Sequence, residues 1–123
     1  MLHADVSGQV IGAAIEVHRE LGPGLLESIY RICLSHEMTA RGLSVDSEVL
    51  IPLAYKGTAI PGGYRADLIV EGKVLVELKA VDELLPLHEA QVLTCLKLTG
   101  LKLGLLMNFN ATSLARGLKR LVR

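Results

Sequence analysis

Apolar and polar positions alternate most regularly through YRADLIVEGKVLVELKA, residues 64–80. Period-2 alternation on either side of Glu71-Gly72-Lys73 predicts two strands joined by a tight turn. A hairpin centred on Gly72 sets Asp67 across from Glu77 and Arg65 across from Lys79, with Ile69 and Leu75 nearer the turn. The opposite face then carries Ala66, Leu68, Val70, Val74, Val76 and Leu78, all apolar. One face is therefore expected against helices, and the other holds two carboxylates and an ammonium side by side. A slip of one residue would separate Asp67 from Glu77, so the reading requires a connection of odd length.

The remaining pattern alternates between helical and extended periods. Residues 6–21 predict a helix with Ser7 as N-cap, stopped by Gly22-Pro23-Gly24 because glycine accepts left-handed geometry and proline resists helix before it. A second helix is predicted over 25–40 with Gly42 as its C-cap, then a strand over 43–55 interrupted at Pro52. Turn signals follow at 56–58 and 61–63, before the hairpin. After an acidic connector, 87–99 reads as a helix opened by Pro86 and closed by Gly100. Residues 103–109 read as a buried strand, and 114–121 as a last helix capped by Ser113. The predicted order is α-α-β-β-β-α-β-α.

With 123 residues and no linker-like stretch, the chain is expected to form one domain, residues 1–123. Half of the residues are apolar, yet there is no Trp and only one Phe. Leu, Val, Ile and Ala must then fill the core, which argues against an aromatic stacking platform for single-stranded nucleic acid. Net charge is zero, so contact with a polyanion requires a local basic patch. Arg116, Lys119, Arg120 and Arg123 supply such a patch, although a solvated final helix explains them as well. Cys33 and Cys95 fall inside predicted helices and read as reduced, buried thiols, with no zinc-like spacing. MLHADVSG lacks a secretion signal and every apolar run is short for a membrane span, so a cytoplasmic protein without a membrane partner is the default.

Asp67 and Glu77 offer the oxygen ligands that a hard divalent cation such as magnesium takes. Glu27 would add a third if the second helix crosses the hairpin's polar face, although a first-turn glutamate also suits the helix dipole. Carboxylates held together without a cation raise one another's pKa, a cost that a metal relieves. Lys79 is placed to orient or deprotonate water, or to steady charge on a phosphoryl oxygen. The plainer alternative is a solvated salt-bridge lattice of Arg65, Asp67, Glu77 and Lys79. Arg65 would otherwise neutralise a substrate phosphate, and His88 would either touch phosphate or serve the helix N-terminus. Gly22 and Gly24 do not form a phosphate loop, since no strand precedes them.

GPGLLESIY, residues 22–30, matches a GxxExxY signature through Gly24, Glu27 and Tyr30. From Val10 to Val122 the chain resembles the GxxExxY protein family of the PD-(D/E)xK nuclease superfamily, with YRADLIVEGKVLVELKA similar to the catalytic hairpin and Glu77-Leu78-Lys79 to its ExK element. The resemblance implies an α/β fold with an αβββαβ core, a mixed sheet flanked by helices, and additional N- and C-terminal helices. It also implies magnesium, or manganese in its place, and hydrolysis of phosphodiesters in DNA or RNA. Carried over by residue, Asp67, Glu77 and the carbonyl of Leu78 bind the cation, with Glu27 joining directly or through water. Lys79 positions the attacking water, and Gln91 orients substrate or the lysine. Cys95 stands where related nucleases carry a tyrosine, which leaves Tyr30 as the candidate for a substrate-contacting phenol. Two other readings stay open: a catalytically inactive nucleic-acid-binding or regulatory protein, and an interaction module that forms a homodimer. So small a domain also suits an unidentified protein partner that completes the substrate surface.

Overall fold

Residues 2–123 are described by the computed structural model. Helix α1 spans Ala4–Leu21 and buries Val6, Val10, Ala13, Ala14 and Val17, spaced at three and four residues along one face. Ser7 lies inside this helix and bonds back to Ala4, while His3 occupies the N-cap position. The expected Ser7 cap is thereby corrected, because the buried stripe already begins at Val6 and draws the helix start a turn earlier. Helix α2 spans Glu27–Ala40 and buries Tyr30, Leu34 and Met38. Beyond its end Gly42 adopts φ 87°, and Leu43 N donates to Met38 O at 3.0 Å while Gly42 N donates to Thr39 O at 3.0 Å. That pattern satisfies the last carbonyls and turns the chain toward the sheet.

The main sheet contains β1 (Val45–Ile51), β4 (Tyr64–Val70), β5 (Val74–Lys79), β6 (Leu103–Asn108) and β7 (Leu118–Val122), in the order β1-β4-β5-β6-β7. Between β1 and β4, a ribbon of β2 (Ala54–Tyr55) and β3 (Thr58–Ala59) pairs separately. Neighbours run antiparallel except β5 and β6, which are parallel and joined by helix α3 (Pro86–Thr99). Taken as α2-β1-β4-β5-α3-β6, with the sheet flanked by helices, this is the expected αβββαβ core.

Two apolar layers hold the sheet. Leu68, Val70, Val76, Leu105 and Met107 pack with α1 and α2, while Leu75 and Leu106 pack with Val92, Cys95 and Leu96 of α3. At Gly104 a Cβ would lie 2.8 Å from Val92 Cγ1, so the absence of a side chain lets α3 settle onto β6. Because helices cover both faces, β5 is buried along nearly its whole length. On β5 the hairpin's second face is therefore covered as far as Glu77.

The predicted final helix is replaced by a 3-10 turn, Leu114–Gly117, followed by β7. Leu118 and Leu121, three apart, look like one helical stripe in sequence. They instead serve opposite layers, as residues an odd number apart do on a strand, while β6 supplies the hydrogen-bonding edge. Among the described residues no helix is long and apolar enough to cross a membrane.

Candidate active site

The turn between β4 and β5 places Glu71 and Gly72 at φ 55° and 62°, with Lys73 N donating to Val70 O. Consecutive left-handed residues give the twist that a tight hairpin needs. The pairs that follow are Val70 with Val74, Ile69 with Leu75 and Leu68 with Val76. There the ladder ends. At the next position the Asp67 side chain replaces the main chain as acceptor, its Oδ2 taking the N–H of Leu78 at 2.8 Å. Asp67 and Glu77 are left beside each other where the strands part.

Glu77 is only 6% exposed, and its Oε1 is buried without a hydrogen-bond partner. Burial lifts its pKa from the ordinary 4.5 to about 9, the Asp67 carboxylate adds to the rise by sharing the proton and by repulsion, and Lys79 opposes it. A buried carboxyl with an unused oxygen, next to a second carboxylate held by a main-chain donor, is a donor set suited to a hard divalent cation. Lys79 sits half-buried at the end of β5.

Both β1 and β4 change faces at this level. Glu48 adopts φ 53° within β1, facing Asp67 between the pairs Ser47–Leu68 and Val49–Ala66. Val45 and Leu68 pack on the α1–α2 side, whereas Val49, Ala66 and Tyr64 pack on the α3 side. Ala66 therefore leaves the face assigned by simple alternation. Arg65 also leaves the expected partners: its Nη1 lies 3.4 Å from Glu48 Oε1, and neither Asp67 nor Glu77 forms an ion pair among the described residues. The salt-bridge lattice expected as the plainer alternative is thus corrected, since Glu77 is buried and Arg65 is taken by Glu48.

The same change of face carries Tyr64 toward the carboxylates. Its hydroxyl donates to Gln91 O at 3.2 Å, and its acidity is suppressed first by burial and then by Glu77, Cys95 and Asp67. Burial also pushes the Cys95 thiol up to about 12, with further contributions from Glu77 and Asp67. A phenol therefore approaches the carboxylates from β4, while α3 presents a thiol. Sequence reasoning missed Tyr64 because strict alternation sets it on the face opposite Asp67. Its place at the head of the same strand was the available signal.

Tyr30 is not that phenol. It is fully buried, stacks on Phe109 at 4.7 Å, donates its hydroxyl to Gly22 O at 2.5 Å and accepts Leu25 N at 3.1 Å. The expected substrate contact is corrected to a clamp on the α1–α2 corner, which sets where Glu27 begins α2. Glu27 itself is exposed. Among the described residues no three His, Cys, Asp or Glu side chains form a metal-holding group, so Glu27 is not gathered with Asp67 and Glu77. His88 Nδ1 accepts the main-chain N–H of Leu85 at 2.9 Å while the main-chain N–H of His88 donates to Leu85 O at 2.9 Å, so His88 closes the first turn of α3, the helix N-terminal role that was one of its two expected readings.

Leu78 contributes main chain between Glu77 and Lys79, and Gln91 lies half-buried on α3 with its carbonyl engaged by Tyr64. Acid, acid and lysine thus meet at the open end of an antiparallel pair, with α3 roofing one side. No curated protein and no solved structure matches the chain significantly. The sequence profile of the PD-(D/E)XK nuclease superfamily matches residues 4–121. Since that match runs through every element that builds the Asp67–Glu77 pair, the chain belongs to the PD-(D/E)XK nuclease superfamily.

Proposed function

We propose that this protein is a divalent-metal-dependent nuclease that hydrolyses phosphodiester bonds in DNA or RNA, with magnesium as its cation and manganese as a substitute. The observation that supports this most is the buried, unpartnered Oε1 of Glu77 beside an Asp67 carboxylate fixed by Leu78 N. Asp67, Glu77 and the Leu78 carbonyl would hold the cation. When bound, the cation supplies Lewis-acid stabilisation of the phosphoryl oxygens and acidifies water.

The chain's own groups do the rest. Glu77 gives up the proton that it otherwise retains, and Asp67 keeps its orientation through Leu78 N. Lys79, whose ammonium acts on Glu77, would orient the attacking water. Gln91 orients the substrate, and Tyr64 fixes α3 over the pair through the Gln91 carbonyl. Glu27 remains at the solvent side.

The test is cleavage of labelled single-stranded and duplex DNA and RNA, with magnesium, manganese or chelator, by wild-type and Glu77→Ala protein. Metal-dependent cleavage that is lost in the variant supports the reading. Binding of an oligonucleotide without turnover of any substrate would replace it with a catalytically inactive binding protein of the same fold.

A further inference from the structure

On the α2 side of the sheet, across β4 from Glu77, lies a second charged cluster. Glu48 Oε1 is 3.3 Å from Arg31 Nη2 and 3.4 Å from Arg65 Nη1. Two guanidiniums share one oxygen, so the cluster carries a net positive charge. Neither contact has the short, two-pronged form of a mature arginine–carboxylate pair. Arg31 is held in place, with its side chain only 17% exposed, yet its Nε is buried without a partner. The planar guanidinium has five N–H donors, and Glu48 supplies one acceptor oxygen at this distance.

The backbone shows what keeps the cluster together. Glu48 takes φ 53° in the middle of a strand, a conformation strained for an L-residue with a long side chain. That distortion faces Asp67 and aims the Glu48 carboxylate at both arginines. Arg65 precedes Asp67 by two residues on β4, about 7 Å along the strand, and Arg31 follows Glu27 by one helical turn. Along β4, and through the shared Glu48 opposite Asp67, the cluster therefore lies next to the Asp67 position, on the sheet face away from α3.

We propose that Arg31 and Arg65 form a subsite for a non-scissile phosphate of the nucleic-acid strand, and that Glu48 occupies the guanidiniums until a phosphate displaces it. The subsite deepens, and rests on, the nuclease reading. It takes the substrate's backbone and reads no base. Arg31 and Arg65 are positioning residues for the strand, and no bond is made or broken there.

The test is binding in chelator, where cleavage cannot occur, of short fluorescein-labelled single-stranded DNA and RNA followed by anisotropy. Arg65→Gln, exposed and tolerant, and Arg31→Gln should each weaken binding about tenfold and lower the salt slope by about one. Arg31→Lys should recover only part of the affinity, and Glu48→Gln should tighten binding severalfold because both arginines are released. Inorganic phosphate should compete in wild type and lose that effect in Arg31→Gln. Equal oligonucleotide affinity in wild type and folded Arg65→Gln overturns the subsite. So does absence of oligonucleotide binding, or arginine-dependent binding of inorganic phosphate alone. Arginine-dependent binding in a protein that cleaves nothing sustains the subsite and sinks the catalytic reading instead.

Discussion

Asp67 Oδ2 accepts the main-chain N–H of Leu78 at 2.8 Å, at the level where the β4–β5 ladder ends. One carboxylate thus closes a gap in the sheet and faces Glu77. Asp67→Ala leaves the Leu78 N–H without an acceptor and should cost about 1–3 kcal/mol. Asp67→Asn retains an amide oxygen for that bond and should cost less, while both variants lose cleavage. Urea denaturation beside a cleavage assay separates the two roles. Equal stability of the Ala and Asn variants would remove the structural one.

Glu77 makes folding sensitive to pH. Below pH 4.5 it is neutral in both folded and unfolded chains; above that value the unfolded chain releases the proton while the folded chain retains it to about 9. The folded state then binds more protons, so stability from this group falls as pH rises through that window. In chelator the urea midpoint should decline from pH 4.5 to about 9, and Glu77→Gln should flatten the decline. An unchanged slope in Glu77→Gln would show that another group governs it.

Magnesium should displace that proton. Calorimetry at neutral pH in buffers of different ionisation enthalpy should report release of about one proton per cation bound. Saturation at about a hundred times the dissociation constant should add about 2.7 kcal/mol to stability. Both effects should vanish in Glu77→Gln.

Tyr64 and Tyr30 should part company on substitution to phenylalanine. Tyr64→Phe removes the bond to Gln91 O and should cost about 0.5–1.5 kcal/mol while lowering kcat, because α3 loses its tie above the carboxylates. Tyr30→Phe strands Gly22 O and Leu25 N at the helix corner and should cost about 1–3 kcal/mol with kcat little changed. Thermal melts and steady-state rates on both proteins decide this.

The thiols should differ in the same way. Cys95 is buried with its pKa pushed up to about 12, whereas Cys33 is only half-buried. Iodoacetamide should label Cys33 in the folded protein and reach Cys95 only after unfolding, as peptide mass spectrometry would show. Rapid labelling of native Cys95 would mean that α3 lifts from β5.

Much of the β4–β5 hairpin was legible because its determinants are local. Alternation around Gly72 predicts the pairing of Ile69 with Leu75, and that register brings Asp67 to Glu77. Pro86 and Gly100 likewise mark the ends of α3 without reference to any other element. At the C-terminus, Leu118 and Leu121 suit a helix equally well by spacing, and only the free edge of β6 makes them a strand. Tyr30 within its motif looked like a site residue. Its hydroxyl instead bonds residues five and eight positions earlier in the corner that it stabilises.

The sequence by itself therefore determined α1, α2 and α3, the hairpin, its register and the meeting of two carboxylates near a lysine, since periodicity and turn chemistry act over a few residues. Tertiary structure alone decided which groups cover that meeting point. The reversal of faces at Glu48 and Asp67 sends Tyr64 toward Glu77 and Arg65 toward Arg31, against strict alternation. Burial under α3 then makes Glu77 hold its proton. Desolvation and cross-element pairing depend on neighbours distant in sequence, and a local pattern carries no record of them.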